Sequence, residues 1–137
     1  MLFRSGIEID TYLVAGGNDL VAAFAAVAGK PPDAVIVQPS LPNRQAAALA
    51  LARRLPAVSS IASFPADGGL MSYSPNLAER ARLVAGYVDR ILKGASPHDL
   101  PIQLPTSYDL IVNLKTAKAL GLTIPPSILA RADEVIE

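Results

Sequence analysis

Short apolar runs alternate along this chain with longer segments in which apolar residues recur every three or four positions. The short runs are typical of buried strands, and the three-to-four spacing is typical of amphipathic helices. The predicted strands cover residues 7–14, 34–37, 57–61, 70–73 and 108–112. The predicted helices cover residues 19–28, 43–54, 77–93, 114–120 and 127–135.

The order of these elements predicts the fold class. Strands and helices alternate, and successive strands lie about 25 residues apart, as in right-handed βαβ units. The continuous apolar run Ala34–Val37 also indicates a strand that is buried on both faces. We therefore expect an α/β domain in which helices flank a parallel sheet.

The predicted helix 77–93 has the clearest pattern. Asn76 precedes it and Glu79 follows three positions later, which is the spacing of a capping box, and Gly94 supplies a stop signal. One apolar stripe runs along the helix through Leu77, Ala81, Val84, Val88 and Ile91. A stripe this long needs a partner surface, so we expect self-association through it when nothing else covers it.

The composition argues against nucleic-acid binding, lipid binding and a membrane-spanning role. Twelve Lys and Arg residues balance twelve Asp and Glu residues, so the chain has no net charge with which to attract nucleic acid or anionic lipid. The hydrophobic fraction is 51% and the charged fraction only 18%, which indicates an apolar surface that meets a partner. The longest apolar run, Leu20–Ala28, is well short of the roughly 18 residues of a spanning helix. Residues 1–10 contain no apolar signal-peptide core.

Polar side chains collect at one edge of the predicted sheet. Ligands of open α/β sheets bind beyond the carboxyl ends of the strands, where the loops 38–42, 63–67 and 73–76 should meet. These loops carry hydroxyls and amides that can orient a small organic ligand, and aromatic rings that can stack on it. The candidate ligand-binding residues are Gln38, Ser40, Ser63, Phe64, Ser72, Tyr73 and Asn76. Tyr73 can instead pack in the core, and Asn76 can instead serve only as the helix cap.

The sequence gives no support for catalytic chemistry. The single histidine, His98, lies next to Asp99 in a proline-rich segment, where sequence neighbours cannot converge as a catalytic triad does. The chain has no cysteine, and its carboxylates do not have the spacing of a calcium loop. We therefore expect a binding protein with no catalytic residue, no metal and no cofactor.

Four motifs in the second half of the chain carry a resemblance to a known family. They are Gly68-Gly-Leu-Met-Ser-Tyr73, Tyr87-Val-Asp-Arg-Ile-Leu-Lys-Gly94, Asp99-Leu-Pro101 and the closing run Val112–Pro126. Together they resemble the C-terminal part of the periplasmic substrate-binding proteins of ABC transporters, of the tryptophan/tyrosine type. The family continues the first motif with Gly-Pro-Asn, and Ser74 departs from that pattern. Residues 1–62 match only in the order of their elements.

The resemblance implies one lobe of a type I periplasmic-binding-protein-like fold, which is similar to flavodoxin-like and Rossmann-like folds. It implies that residues 1–137 are a single α/β domain and an incomplete, C-terminal portion of a two-lobed protein. Residues 1–76 would form the lobe core, the helix 77–94 would pack on the other lobe, and residues 106–137 would supply the final strand and helices. The implied function is to bind a small organic solute, such as an aromatic amino acid, between the lobes and to deliver it to an ABC permease from the periplasm.

Other classes of protein remain open. The same lobe architecture also serves as the ligand-sensing effector domain of bacterial regulators and sensors, which would add a DNA-binding or signalling segment. A receiver-type switch would need a phosphate-accepting Asp at the end of its third strand, and residues 57–61 contain none. An enzyme of another kind stays open because a fold does not fix a function.

Overall fold

A computed structural model describes residues 6–15, 17–29 and 31–137. The strands are β1 (Val35–Val37), β2 (Ala57–Ser59), β3 (Met71–Pro75), β4 (Tyr108–Asn113) and β5 (Glu134–Ile136). The helices are α1 (Gly17–Ala26), α2 (Asn43–Ala52), α3 (Leu77–Leu92), α4 (Leu114–Leu120) and α5 (Pro126–Leu129). Short 3-10 turns follow α1 at Val27–Gly29 and interrupt the connection after α3 at Pro97–Asp99.

The five strands form one mixed sheet in the order β1-β2-β3-β4-β5. β1, β2 and β3 are parallel neighbours, and β5 is parallel to β4. β4 runs antiparallel to β3, with Pro75 opposite Tyr108 and Met71 opposite Val112. The α/β fold class is confirmed, but the expectation of a wholly parallel sheet is wrong. After α3, residues 93–107 bring the chain back to the carboxyl end of β3. β4 starts there and therefore runs antiparallel to β3.

The hydrophobic core lies on one face of the sheet. α2 contributes small residues to it, because Ala46, Ala47 and Ala50 are buried while Leu51 is 37% exposed. The remaining core members come from α1, the strands and the turn after β2, and they include Leu20, Phe24, Val27, Val37, Leu55, Ala57 and Phe64. Alanines on the facing side of α2 let the helix approach the sheet closely.

The turn between β2 and β3 places Phe64 in that core. A Cβ on Gly69 would lie 2.2 Å from Cδ1 of the Phe64 ring, so only glycine fits beside it. Asn113 donates from Nδ2 to the carbonyl of Pro65 at 2.7 Å, and Thr116 donates from Oγ1 to the carbonyl of Gly68 at 3.1 Å. The turn is therefore tied to the carboxyl end of β4 and the first turn of α4.

The opposite face of the sheet is exposed at β1. Side chains alternate along a strand, so Ile36 of β1 points away from the core that contains Val37. Ile36 is 67% exposed. The prediction that this strand is buried on both faces is wrong, because α1 and α2 both pack into the core on the other side.

α3 is confirmed as an amphipathic helix that begins after Asn76 and ends before Gly94, which has a φ of +96°. None of the residues of α3 is buried. Its apolar stripe faces outward in the described chain, with Leu77 70% and Val84 60% exposed.

Two predicted elements near the ends of the chain are wrong. Residues 7–14 are not a strand of the sheet: they form one isolated bridge at Glu8, and Leu13 is 95% exposed, so burial does not favour a strand there. The predicted helix 127–135 is a single turn, α5, followed by β5. Asp133 ends that turn by pairing with Leu110, because its Oδ2 accepts from the Leu110 N–H at 2.7 Å and its own N–H donates to the Leu110 carbonyl at 2.8 Å.

Candidate functional site at the carboxyl edge of the sheet

Three parallel strands and one antiparallel strand share the edge that we identify as the candidate site. β1, β2 and β3 end there, and β4 begins there because Pro75 lies opposite Tyr108. Open α/β sheets bind their ligands beyond this edge. We call the exposed surface formed there by Tyr73, Asn76 and Tyr108 the tyrosine rim.

Two stacked aromatic rings dominate the tyrosine rim. Tyr73 and Tyr108 have ring centroids 5.2 Å apart and ring planes inclined by 17°. Tyr108 is the diagonal neighbour of Tyr73 across the antiparallel pair, since Tyr73 itself lies opposite Leu110. Both rings remain open to solvent, with Tyr73 56% and Tyr108 42% exposed. The rim therefore presents a preformed flat apolar surface on which another ring can stack.

Asn76 has two roles at this edge. Its Oδ1 accepts a hydrogen bond from the Glu79 N–H at 2.9 Å, which confirms the predicted cap of α3. Its Nδ2 donates to both carboxylate oxygens of Asp109, at 2.9 and 3.0 Å. The Asn76 side chain thus bonds within the protein through both its oxygen and its nitrogen, and it joins the first turn of α3 to β4.

Glu79 completes the connection between α3 and the approach to β4. Its carboxylate accepts hydrogen bonds from the N–H and hydroxyl of Ser107, at 3.0 and 2.6 Å, and from the N–H and hydroxyl of Thr106. These bonds favour the ionised form, with the Ser107 hydroxyl the largest cause, and they lower the pKa of Glu79 to about 2. In a capping box the Glu79 carboxylate would also accept a hydrogen bond from the Asn76 N–H. Here that N–H instead donates to the Ser107 carbonyl at 3.1 Å.

The other predicted site residues fall into two groups. Gln38 and Ser40 follow the carboxyl end of β1 and are exposed, and Ser63 is exposed in the turn after β2. Phe64 and Ser72 are fully buried, Phe64 in the core and Ser72 on the core face of β3, opposite the face that carries Tyr73. The structure thus brings Tyr73 and Asn76 together and separates Phe64 and Ser72 from the exposed rim.

Ser74 causes no strain where the resembling family has glycine. It lies inside β3, and it is not among the residues with positive φ. Its hydroxyl is buried on the core face, as is that of Ser72, and neither has a hydrogen-bond partner in the described part of the protein.

Sequence reasoning missed Tyr108 and Asp109 as members of this edge. A parallel β4 would have placed both at the far end of the sheet. The signal that could have corrected this is the long connection from Gly94 to Ser107, because a simple αβ crossover needs only about 2 to 6 residues between helix and strand.

The His98 Nδ1 lies 3.2 Å from Oδ1 of Asp99. The His98 side chain is 96% exposed, so it does not belong to a buried cluster of catalytic groups. Residues 6–15, 17–29 and 31–137 contain no cluster of three potential metal ligands among His, Cys, Asp and Glu. In the same ranges no helix has the length and apolar character to span a membrane.

A shallow hollow opens at the other edge of the sheet. It is lined by Val27, Pro31, Arg53 and Leu55, and the Arg53 guanidinium lies 5.7 Å from the centre of the Phe24 ring. The described residues that line it offer one charged group and no convergent hydrogen-bonding side chains, so the carboxyl edge is the better candidate for ligand recognition.

The comparison with protein families identifies the class of this protein. The profile described as "ABC transporter substrate binding protein" matches residues 1–136, and the chain belongs to this family. The family points to a binding function rather than a catalytic one. No curated protein matches the chain.

Solved structures agree with the fold. A conserved domain protein from Vibrio cholerae is 26% identical with a TM-score of 0.86, and the match covers 96% of this chain and 46% of that one. An ABC domain from Streptococcus pneumonia, solved in complex with L-Trp, is 24% identical with a TM-score of 0.84 and coverages of 97% and 46%. The open, ligand-free substrate-binding protein CD0873 from Clostridium difficile is 20% identical with a TM-score of 0.68 and coverages of 97% and 45%. The chain therefore spans about half the length of the structures that it matches, and corresponds to one lobe of their fold.

Proposed function

We propose that this chain is one lobe of a solute-binding protein that serves an ABC importer, and that the tyrosine rim is one wall of its ligand cleft. The observation that carries the proposal is the exposed, stacked pair Tyr73 and Tyr108 at the carboxyl edge of the sheet. A second lobe facing this edge would enclose a small organic ligand between the two surfaces.

The rim favours a ligand with a flat apolar part. The outer faces of the two stacked rings are available for a ligand ring to stack on, and the exposed polar groups of Gln38, Ser40 and Ser63 are available to orient a polar part. The L-Trp bound by the structural neighbour from Streptococcus pneumonia supports an aromatic amino acid as the ligand class. Phe64 and Ser72 would support the rim from within the lobe.

The outward stripe of α3 supports the two-lobed arrangement. Helices of globular proteins bury their apolar face, yet Leu77, Val84 and Val88 are all exposed here. A second lobe on α3 would cover this surface and would leave the rim facing the cleft. In this arrangement the whole protein would act in the periplasm and deliver its bound ligand to a permease.

Mapping by nuclear magnetic resonance tests the site on the chain itself. The isotope-labelled protein would be titrated with the twenty L-amino acids, each at millimolar concentration. We expect shifts that concentrate on Tyr73, Asn76 and Tyr108 and are largest with aromatic amino acids. Shifts concentrated instead around Val27 and Arg53 would contradict the proposal.

A further inference from the structure

The first turn of α3 holds the backbone on both sides of Tyr108. On one side, Ser107 is bound through its N–H and hydroxyl to Glu79, and through its carbonyl to the Asn76 N–H. On the other side, the Asp109 carboxylate is bound to the Asn76 amide. Tyr108 itself makes its described side-chain contact with the ring of Tyr73.

We propose that Asn76 and Glu79 are positioning residues for the tyrosine rim, which hold Tyr108 in the stacked arrangement from the first turn of α3. The inference deepens the proposed function, and its relevance to ligand binding rests on that function. Neither residue needs to touch the ligand, because each acts through the neighbours of Tyr108.

The position of Glu79 explains why this role requires a carboxylate. Two acceptor oxygens are needed, since Oε1 binds Thr106 and Oε2 binds Ser107, each through a backbone N–H and a hydroxyl. A carboxylate offers about four acceptor sites, whereas a glutamine amide offers one oxygen and one donor nitrogen. Glutamine can therefore replace only part of this arrangement.

The same contacts connect α3 to the rim mechanically. No residue of α3 is buried, so hydrogen bonds rather than a packed face attach the helix to the lobe: those of its first turn to residues 106–109, and that from the Tyr87 hydroxyl to the Pro101 carbonyl. Of these, the bonds from Asn76 and Glu79 to residues 106–109 lead directly to the backbone beside Tyr108. A surface that docks on α3 and shifts the helix would therefore change the position of Tyr108 through Asn76 and Glu79.

The test compares Glu79→Ala with Asp89→Ala in the 137-residue chain. Asp89 is the matched control, because it is also a carboxylate on α3 and pairs with Lys93 at 2.9 Å without contacting β4. Ring-to-ring nuclear Overhauser contacts between Tyr73 and Tyr108, and hydrogen exchange at the Ser107 amide, are the two readouts. Neither readout depends on any ligand.

In Glu79→Ala we expect the ring contacts to weaken and the Ser107 amide to exchange about tenfold faster or more. Core amides such as that of Val112 should keep their exchange rates, and Asp89→Ala should match the wild type in both readouts. Glu79→Gln should give an intermediate result. Unchanged ring contacts and unchanged Ser107 exchange in Glu79→Ala would overturn the inference.

Binding measurements separate this inference from the proposed function. In a two-lobed protein that carries this lobe, Glu79→Ala should weaken binding of the amino acid selected by the titration severalfold. If the rings separate in Glu79→Ala while Tyr73→Ala leaves binding unchanged, the proposed function fails and the positioning role stands.

Discussion

Tyr73 and Tyr108 stack across two antiparallel strands, with their ring centroids 5.2 Å apart. The contact exists because β4 runs opposite to β3, which brings the first residue of β4 to the edge where β3 ends. Both rings stay open to solvent beside the cap of α3. An apolar surface left exposed next to a fixed polar network is characteristic of a site for recognition.

The first prediction concerns the Tyr73 ring. In a two-lobed protein that carries this lobe, Tyr73→Ala should weaken ligand binding by about 1 to 3 kcal/mol, because a buried aromatic contact is lost when the cleft closes. Tyr73→Phe is the matched control and should retain most of the affinity, since the ring stack remains. Isothermal calorimetry measures both, and equal affinities for wild type and Tyr73→Ala would contradict the prediction.

The sequence predicts the positions of α2, α3 and α4 closely, and α3 and α4 also have end signals in Gly94 and Gly121. The cap Asn76 and the stop Gly94 were both located from residue type alone. The antiparallel direction of β4 cannot be predicted from residue patterns, because a strand has the same alternation of side chains in either direction. Tyr108 and Asp109 were missed for that reason.

Burial was harder to predict than secondary structure. Phe64 follows a strand, as a rim residue would, yet the glycine at position 69 allows its ring to enter the core. Ser72 and Tyr73 are neighbours in sequence but lie on opposite faces of β3. The segment 127–135 has helical spacing, but β5 forms instead because Val135 and Ile136 pair with β4.

The second prediction concerns the close approach at Gly69. Gly69→Ala should destabilise the protein by about 1 to 3 kcal/mol, because the added methyl would overlap the Phe64 ring in a packed core. Gly86→Ala is the matched control, since a Cβ at Gly86 meets nothing within 4 Å on the exposed helix α3. It should stabilise the protein by about 0.5 to 1 kcal/mol through helix propensity. Urea unfolding measures both, and similar midpoints for the two variants would contradict this account of the turn.

The third prediction follows from the lowered pKa of Glu79. Its pKa falls from 4.5 to about 2 on folding, so its hydrogen bonds stabilise the folded chain fully above pH 4.5. That contribution should be lost as the pH falls from 4.5 to about 2, because over this range the unfolded chain binds a proton at Glu79 that the folded chain does not.

The comparison with Glu79→Gln isolates this effect from other carboxylates, including Asp109 in the same cluster. The difference in unfolding free energy between wild type and variant should be constant above pH 5 and should shrink toward pH 2. Urea unfolding at a series of pH values measures it. A difference that stays the same down to pH 2 would show that Glu79 does not titrate as described.

The fourth prediction concerns the stripe on α3. The 137-residue chain should self-associate at high concentration, because Leu77, Val84 and Val88 expose a continuous apolar surface. Light scattering should give a mass above 14.3 kDa. The double variant Val84→Glu, Val88→Glu should return it to the monomer, whereas Lys118→Glu on α4 should not. A clean monomer for the wild type would contradict the prediction.

We propose that the tyrosine rim is one wall of a cleft that needs a second lobe. Calorimetry of the 137-residue chain with the twenty L-amino acids tests it most directly. We expect dissociation constants weaker than about 1 mM, because a ligand on one wall lacks the contacts of the other, and each 1.4 kcal/mol lost costs about tenfold in affinity. Micromolar or tighter binding of a single amino acid to these 137 residues would contradict it, and would place the complete site within this lobe or between two copies of it.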